Sequence, residues 1–117
     1  MSPGVSLQLA INRQLMRLPH GASCARCGET CVLALMPSAV PGAVVRCYAC
    51  TVRRWEDHHL GGRYEGALVV RVPGNQHRVL SVLQHIGWRG EHEPGSPYAV
   101  AFDRAALTGV RIAWPTH

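Results

Sequence analysis

Cys24 and Cys27 are separated by two residues, as are Cys47 and Cys50, and nineteen residues lie between the pairs. Thiolates suit soft and borderline cations, and a C-x2-C turn presents two sulfurs from one tight knuckle. Two knuckles supply the four tetrahedral ligands that Zn2+ accepts. Cys24, Cys27, Cys47 and Cys50 are therefore expected to hold one structural zinc ion. Gly28, directly after the first pair, offers the backbone freedom with which a knuckle turns its amides towards its sulfurs. The fifth cysteine, Cys31, is expected to be a small buried apolar side chain. An odd cysteine count and the lack of a secretory signal point away from a disulfide framework and towards a reducing, intracellular, cytoplasmic setting.

A second set of reactive types follows the second knuckle. Asp57-His58-His59 sits in the most polar stretch of the chain, Thr51 to Leu60, and imidazole is both basic and neutral near pH 7, so it serves as proton acceptor or metal ligand. Arg53 and Arg54 stand beside the knuckle with Trp55. Guanidinium and aromatic groups so placed either contact a nucleic-acid backbone or, in the plainer reading, leave the arginines solvated while Trp55 packs between the cysteine-bearing segment and the next domain. Arg26, Arg46 and Tyr48 complete the expected contact surface for nucleic acid or an acidic protein.

The elements that must position these groups read as follows. Val5 to Leu18 forms an amphipathic helix with Leu7, Ile11, Leu15 and Leu18 on one side, ended by Pro19 and docked on the ribbon or a partner. Cys31 to Met36 and Ala43 to Arg46 read as a hairpin around the turn-rich segment 37–42. A short helix is expected over 51–60, broken by Gly61-Gly62. From Tyr64 the pattern becomes β-α-β-β: a strand over 67–72, a helix from an Asn75 cap through Ile86 with Val79, Leu80 and Leu83 inward, then strands carrying Tyr98, Val100 and Phe102, and Val110, Ile112 and Trp114. The fold class is thus α+β, divided into 1–19 (helix), 20–62 (ribbon and polar segment) and 63–117 (β-α-β-β module).

At 117 residues the chain has a modest core that a metal would help stabilise. No apolar run is long enough to cross a bilayer, so no membrane partner is expected. All twelve cationic residues are arginine. Residues 1–55 carry six of them and one acid, Glu29, whereas residues 56–117 carry six arginines and six acids, so the basic excess lies in the front half. Four thiolates and one zinc ion would lower that excess by about two charges, to a mild attraction for phosphate. No Gly-rich phosphate loop, nucleophile elbow or dinucleotide fingerprint is present.

The segment from about His20 to Trp55 resembles a zinc ribbon, a fold group that recurs in transcription, translation and DNA-handling machinery. That resemblance implies a non-catalytic recognition or adaptor module binding nucleic acid or protein. The order Asp57-His58-His59, Asn75, His85 also resembles HNH nucleases, many of which carry two C-x2-C pairs. This alternative implies His59 as the general base, Asn75 as its orienter, and Asp57 with His85 as ligands of a divalent metal. A third alternative is a structural subunit of a larger particle, with the N-terminal helix or a sheet edge buried against another chain.

Overall fold

The structure is a computed structural model that describes residues 3–37, 42–88 and 92–109. It is a mixed α+β protein with two small antiparallel sheets. Helix α1 (Pro3–Met16) turns Leu7, Ala10, Ile11 and Gln14 inward. Gln14 replaces Leu15 on the inner face, donating from Nε2 to the Leu35 carbonyl at 2.6 Å, and Leu15 is left 50% exposed. The helix thus docks on the cysteine-bearing segment, and beyond it Leu18 packs against the cysteine core.

The expected ribbon hairpin is shorter than its apolar runs suggest. Val32–Ala34 forms a 3-10 turn with Cys31 as its cap, so Cys31 precedes the strand and is only half-buried. Only β1 (Leu35–Met36) and β2 (Arg46–Cys47) pair, with Leu35 opposite Cys47 and Met36 opposite Arg46. Helix α2 (Tyr48–Thr51) is one turn that begins inside the second knuckle.

The helix expected over 51–60 is instead a strand over its second half. β3 (Trp55–His59) pairs antiparallel with β4 (Val69–Pro73), placing His58 opposite Val70 and Glu56 opposite Val72. The alternation of a strand is present, but it turns polar residues inward: Glu56 and His58 face the interior while Trp55 and Asp57 face out. A window that scores only apolar residues cannot register such a strand. Helix α3 (Gly74–Gly87) follows, capped by Pro73 and not by Asn75.

The strand expected around Tyr98 to Phe102 is a correction of another kind, since Pro97–Gly109 forms helix α4. The Ser96 hydroxyl accepts from the Ala99 amide at 3.2 Å, an N-cap that starts the helix. Ala99 and Asp103, four residues apart, then become its buried face, and Phe102 lies so close to Gly87 that a Cβ there would come within 2.0 Å of the ring. The strand expected over 110–114 lies outside the described residues. Buried Leu60, Val72, Val79, Leu80, Trp88 and Ala99 belong to the β3-β4-α3-α4 part, while Cys24, Leu35, Cys47 and Ala49 form the core of the ribbon. No described helix is long and apolar enough to cross a membrane.

Candidate metal centre and histidine cavity

The four expected cysteines come together. The sulfurs of Cys24, Cys27, Cys47 and Cys50 all lie within 4.8 Å of one another, and those of Cys27 and Cys47 are 3.5 Å apart. Four sulfurs at the usual Zn–S length on a tetrahedron would be about 3.8 Å apart, so the cluster has the dimensions of a four-thiolate metal site. The first knuckle closes through Gly28, whose amide donates to the Cys24 carbonyl at 2.8 Å with φ at +82°. The Ala25 amide donates to the Val45 carbonyl at 2.9 Å and ties this knuckle to the strand that carries the other.

The sulfurs are electrostatically unequal. Burial raises the Cys24 thiol, but the amides of Cys27, Arg26 and Cys47 and the Cys47 side chain outweigh it and bring the group down to about 6. Cys27 is pushed up to about 11, first by burial and then by neighbouring thiols, and Cys50 is pushed further up by the same causes. Sulfurs this close resist sharing negative charge without a cation among them, which is the charge that a divalent ion supplies. Burial also raises the Cys31 thiol, which keeps it protonated and unreactive.

Two polar bridges join the ribbon to α3. Glu29 is buried, and one of its oxygens accepts from the Thr30 and Cys31 amides at 3.1 Å. Its other oxygen accepts from the Asn75 amide nitrogen at 3.1 Å, while the Asn75 oxygen accepts from the Ala49 backbone at 2.7 Å. Asn75 therefore links both knuckles to the start of α3. This docking brings Gly74 against the backbone after the second knuckle: its amide donates to the Arg54 carbonyl at 2.8 Å, and a Cβ would lie 1.9 Å from the Arg53 oxygen. The second bridge runs from the Tyr48 hydroxyl to Glu56 and from Glu56 to His77 Nδ1. Burial and the Glu56 carboxylate raise the Tyr48 hydroxyl.

Four of the seven histidines belong to or border a single cavity. It has a volume of about 490 Å3, and its walls include Asp57, His58, His59, Arg63, His77 and His92. His58 from β3 and His77 from α3 meet edge to face with ring centroids 5.6 Å apart. Each has a polar neighbour at one ring nitrogen. His58 Nε2 lies 3.4 Å from the Gln84 amide and 3.9 Å from Asp103, and His77 Nδ1 meets Glu56. Asp103, fully buried, also accepts from the Gly61 amide, from Gln84 and from the Trp88 indole at 2.6, 2.6 and 3.0 Å, so it fixes the wall of the cavity from α4. Burial lowers the proton affinity of His58 against the opposing pull of Asp103, and the ring is held neutral. Neutral imidazole is the form that binds a metal or accepts a proton.

The set Asp57, His59, Asn75 and His85 does not converge. Asp57 and His59 reach the cavity, Asn75 is consumed in the ribbon bridge, and His85 lies in a different groove, beside α1. His77, not His85, lines the cavity, with Ser81 and Gln84 from the same helix and Trp88 just past its end. Their spacing of four, three and four residues is helical, but a polar stripe reads as solvated until β3 is recognised as a strand packed against it. Among the intended contact residues, Arg26, Arg46, Arg53 and Arg54 are exposed, whereas Tyr48 is half-buried and bonded to Glu56. Trp55 is 42% exposed and so is not the buried side chain expected between the cysteine-bearing segment and the next domain. Among the described residues the four sulfurs are the one set of three or more Cys, His, Asp or Glu ligand atoms gathered within 4.8 Å; the histidine cavity is an open arrangement. No protein-family model, curated protein or solved structure matches the chain.

Proposed function

We propose that this chain is a zinc-stapled phosphodiesterase acting on nucleic acid, with the histidine cavity as its working site. The observation that carries the proposal is the meeting of His58 and His77 in the wall of one cavity, with a carboxylate near one ring nitrogen of each. Histidine ligands of catalytic metals commonly donate their other ring N–H to a carboxylate, as the Glu56 contact at His77 Nδ1 allows, and Asp103 is the carboxylate near His58. Two imidazoles sharing one ion at the usual metal–nitrogen length and a tetrahedral angle have ring centroids about 5 Å apart, close to the separation here. His58 and His77 would hold a divalent ion, which would supply Lewis-acid stabilisation of the phosphate charge.

The chain's own groups supply the rest. His59 is half-buried at the cavity wall and accepts a proton from the attacking water. The water oxygen forms its bond to phosphorus as the bond to the leaving ribose oxygen breaks, and solvent protonates that oxygen. Arg63, exposed at the rim, offsets phosphate charge. The test is nicking of supercoiled plasmid by zinc-replete protein with added Mg2+, Mn2+ or Ni2+. Imidazole favours the transition metals, so Ni2+ or Mn2+ is expected to exceed Mg2+. His59→Ala should lower the rate at least 100-fold with zinc content unchanged. Wild-type protein that nicks nothing, or a His59→Ala variant as active as wild type, would remove the proposal.

A second reading, a non-catalytic recognition or adaptor module, is favoured by a different observation. Arg26, Arg46, Arg53 and Arg54 are exposed on or beside the ribbon, and none is in an ion pair among the described residues. On that reading Arg53→Ala with Arg54→Ala weakens nucleic-acid or acidic-protein binding, and the histidine variants leave it unchanged.

A further inference from the structure

We infer that the groove between α1 and α3 is a track for the sugar-phosphate backbone, leading a nucleic-acid strand towards the histidine cavity. The inference rests on the reading that the partner is nucleic acid, but it concerns a different face and does not require cleavage.

The groove has a volume of about 620 Å3 and carries Arg13 from one helix with Arg78 and His85 from the other. A smaller recess of about 170 Å3 shares Arg13 and Arg78 and reaches Arg17, just past the end of α1. All four side chains are exposed. Neither helix contains a single acid, and no Asp or Glu lines either recess. None of these four residues is in an ion pair among the described residues. This cationic surface is therefore not neutralised locally, unlike Arg71, which pairs with Asp57.

Shape and position narrow the partner. Small side chains, Ser6, Ala10 and Ser81, let a polymer approach between the cations. At 1.5 Å per residue, Arg78 and His85 are about 10 Å apart along α3, or about three base steps of one strand. The three guanidinium groups are exposed at the surface and do not enclose a buried pocket, so they suit a chain of phosphates better than a small anion. Ser81 lines both this groove and the histidine cavity, so one strand passing it reaches both. Guanidinium groups bind successive phosphates bidentately without reading sequence.

The test measures binding alone. Fluorescein-labelled 20-nucleotide single-stranded DNA and its duplex are titrated with zinc-replete protein in the absence of added divalent metal, from 50 to 200 mM salt, and read by anisotropy. The triple variant Arg13→Ala, Arg17→Ala, Arg78→Ala is compared with Arg53→Ala, Arg54→Ala, after zinc content and circular dichroism have shown both to be folded. The triple variant is expected to bind at least tenfold more weakly at 100 mM salt. Its log-log salt slope should be about two to three units shallower than wild type, as loss of three phosphate contacts requires. Triple-variant binding within twofold of wild type, no DNA binding by wild type, or displacement of DNA by polyglutamate as readily as by heparin would each overturn the inference. Groove-dependent binding by a protein that never nicks plasmid would leave the track standing and remove the phosphodiesterase reading.

Discussion

The cysteine cluster and the histidine cavity are both groups of metal-binding residue types, yet they are built in opposite ways. The sulfurs are mutually close, packed with Leu18 and Leu35, and held by backbone amides within their own knuckles. The cavity histidines come from β3, α3 and the segment before α4, and those at its centre are held by Glu56, Gln84 and Asp103. A closed ligand shell suits a metal that only holds structure, whereas an open one leaves room for water and substrate. The difference teaches where each site draws its stability. The first is nearly self-contained, and the second depends on the first through Asn75 and through Tyr48 and Glu56.

The harshest way to break that dependence is Cys47→Ser, which removes a ligand between the two bridges. Structural zinc contributes about 10 kcal/mol or more to small metal domains, comparable with the whole stability of a domain, so this variant should lose its zinc and its cooperative thermal transition together. Retention of a wild-type melting curve without zinc would show that the ribbon folds unaided.

A smaller change should strike the cavity while sparing the metal. Asp103→Ala leaves the Gly61 amide, Gln84 and the Trp88 indole without their buried acceptor, and is expected to cost about 3 to 5 kcal/mol by chemical denaturation. Zinc should remain at one ion per chain, since no residue of α4 belongs to the cysteine core. Loss of zinc in this variant would mean that the two regions are a single cooperative site.

Asn75→Ala sharpens the comparison at the joint itself. It leaves the buried Ala49 amide and one Glu29 oxygen unpaired and should cost about 2 to 3 kcal/mol, with zinc retained and amide exchange accelerated at the N-terminus of α3. An unchanged exchange rate there would deny Asn75 its role as the link.

How much of this could be read from the chain follows from the same contrast. The sulfur site was legible because each knuckle is local: two ligands and the turning Gly28 lie within five residues, and only one pairing of knuckles remained to be guessed. The helices around Leu7 to Leu18 and Val79 to Ile86 were legible from apolar period alone. The cavity was not, because its strand is polar on both faces. Glu56 and His58 are inward only because Tyr48, His77, Gln84 and Asp103 meet them there, and three of those four come from helices later in the chain. Ala99 and Phe102 fit either a strand or a helix, and the choice was made by Ser96 as a cap and by the fit of Phe102 on Gly87, neither of which is a matter of periodicity. Asn75 shows the reverse case. It looked like a helix cap or a catalytic orienter, but its side chain is used in tertiary packing.

The most direct test of the two-site account is a count of bound ions. Zinc-replete protein, its zinc measured by elemental analysis, is titrated calorimetrically with Ni2+, alongside His58→Ala and His77→Ala. One retained zinc per chain plus one weaker Ni2+ in wild type, with the Ni2+ binding lost in both variants and the zinc kept, is the expected result. Absence of a second ion in wild type, or a second ion that both variants still bind, would contradict the account.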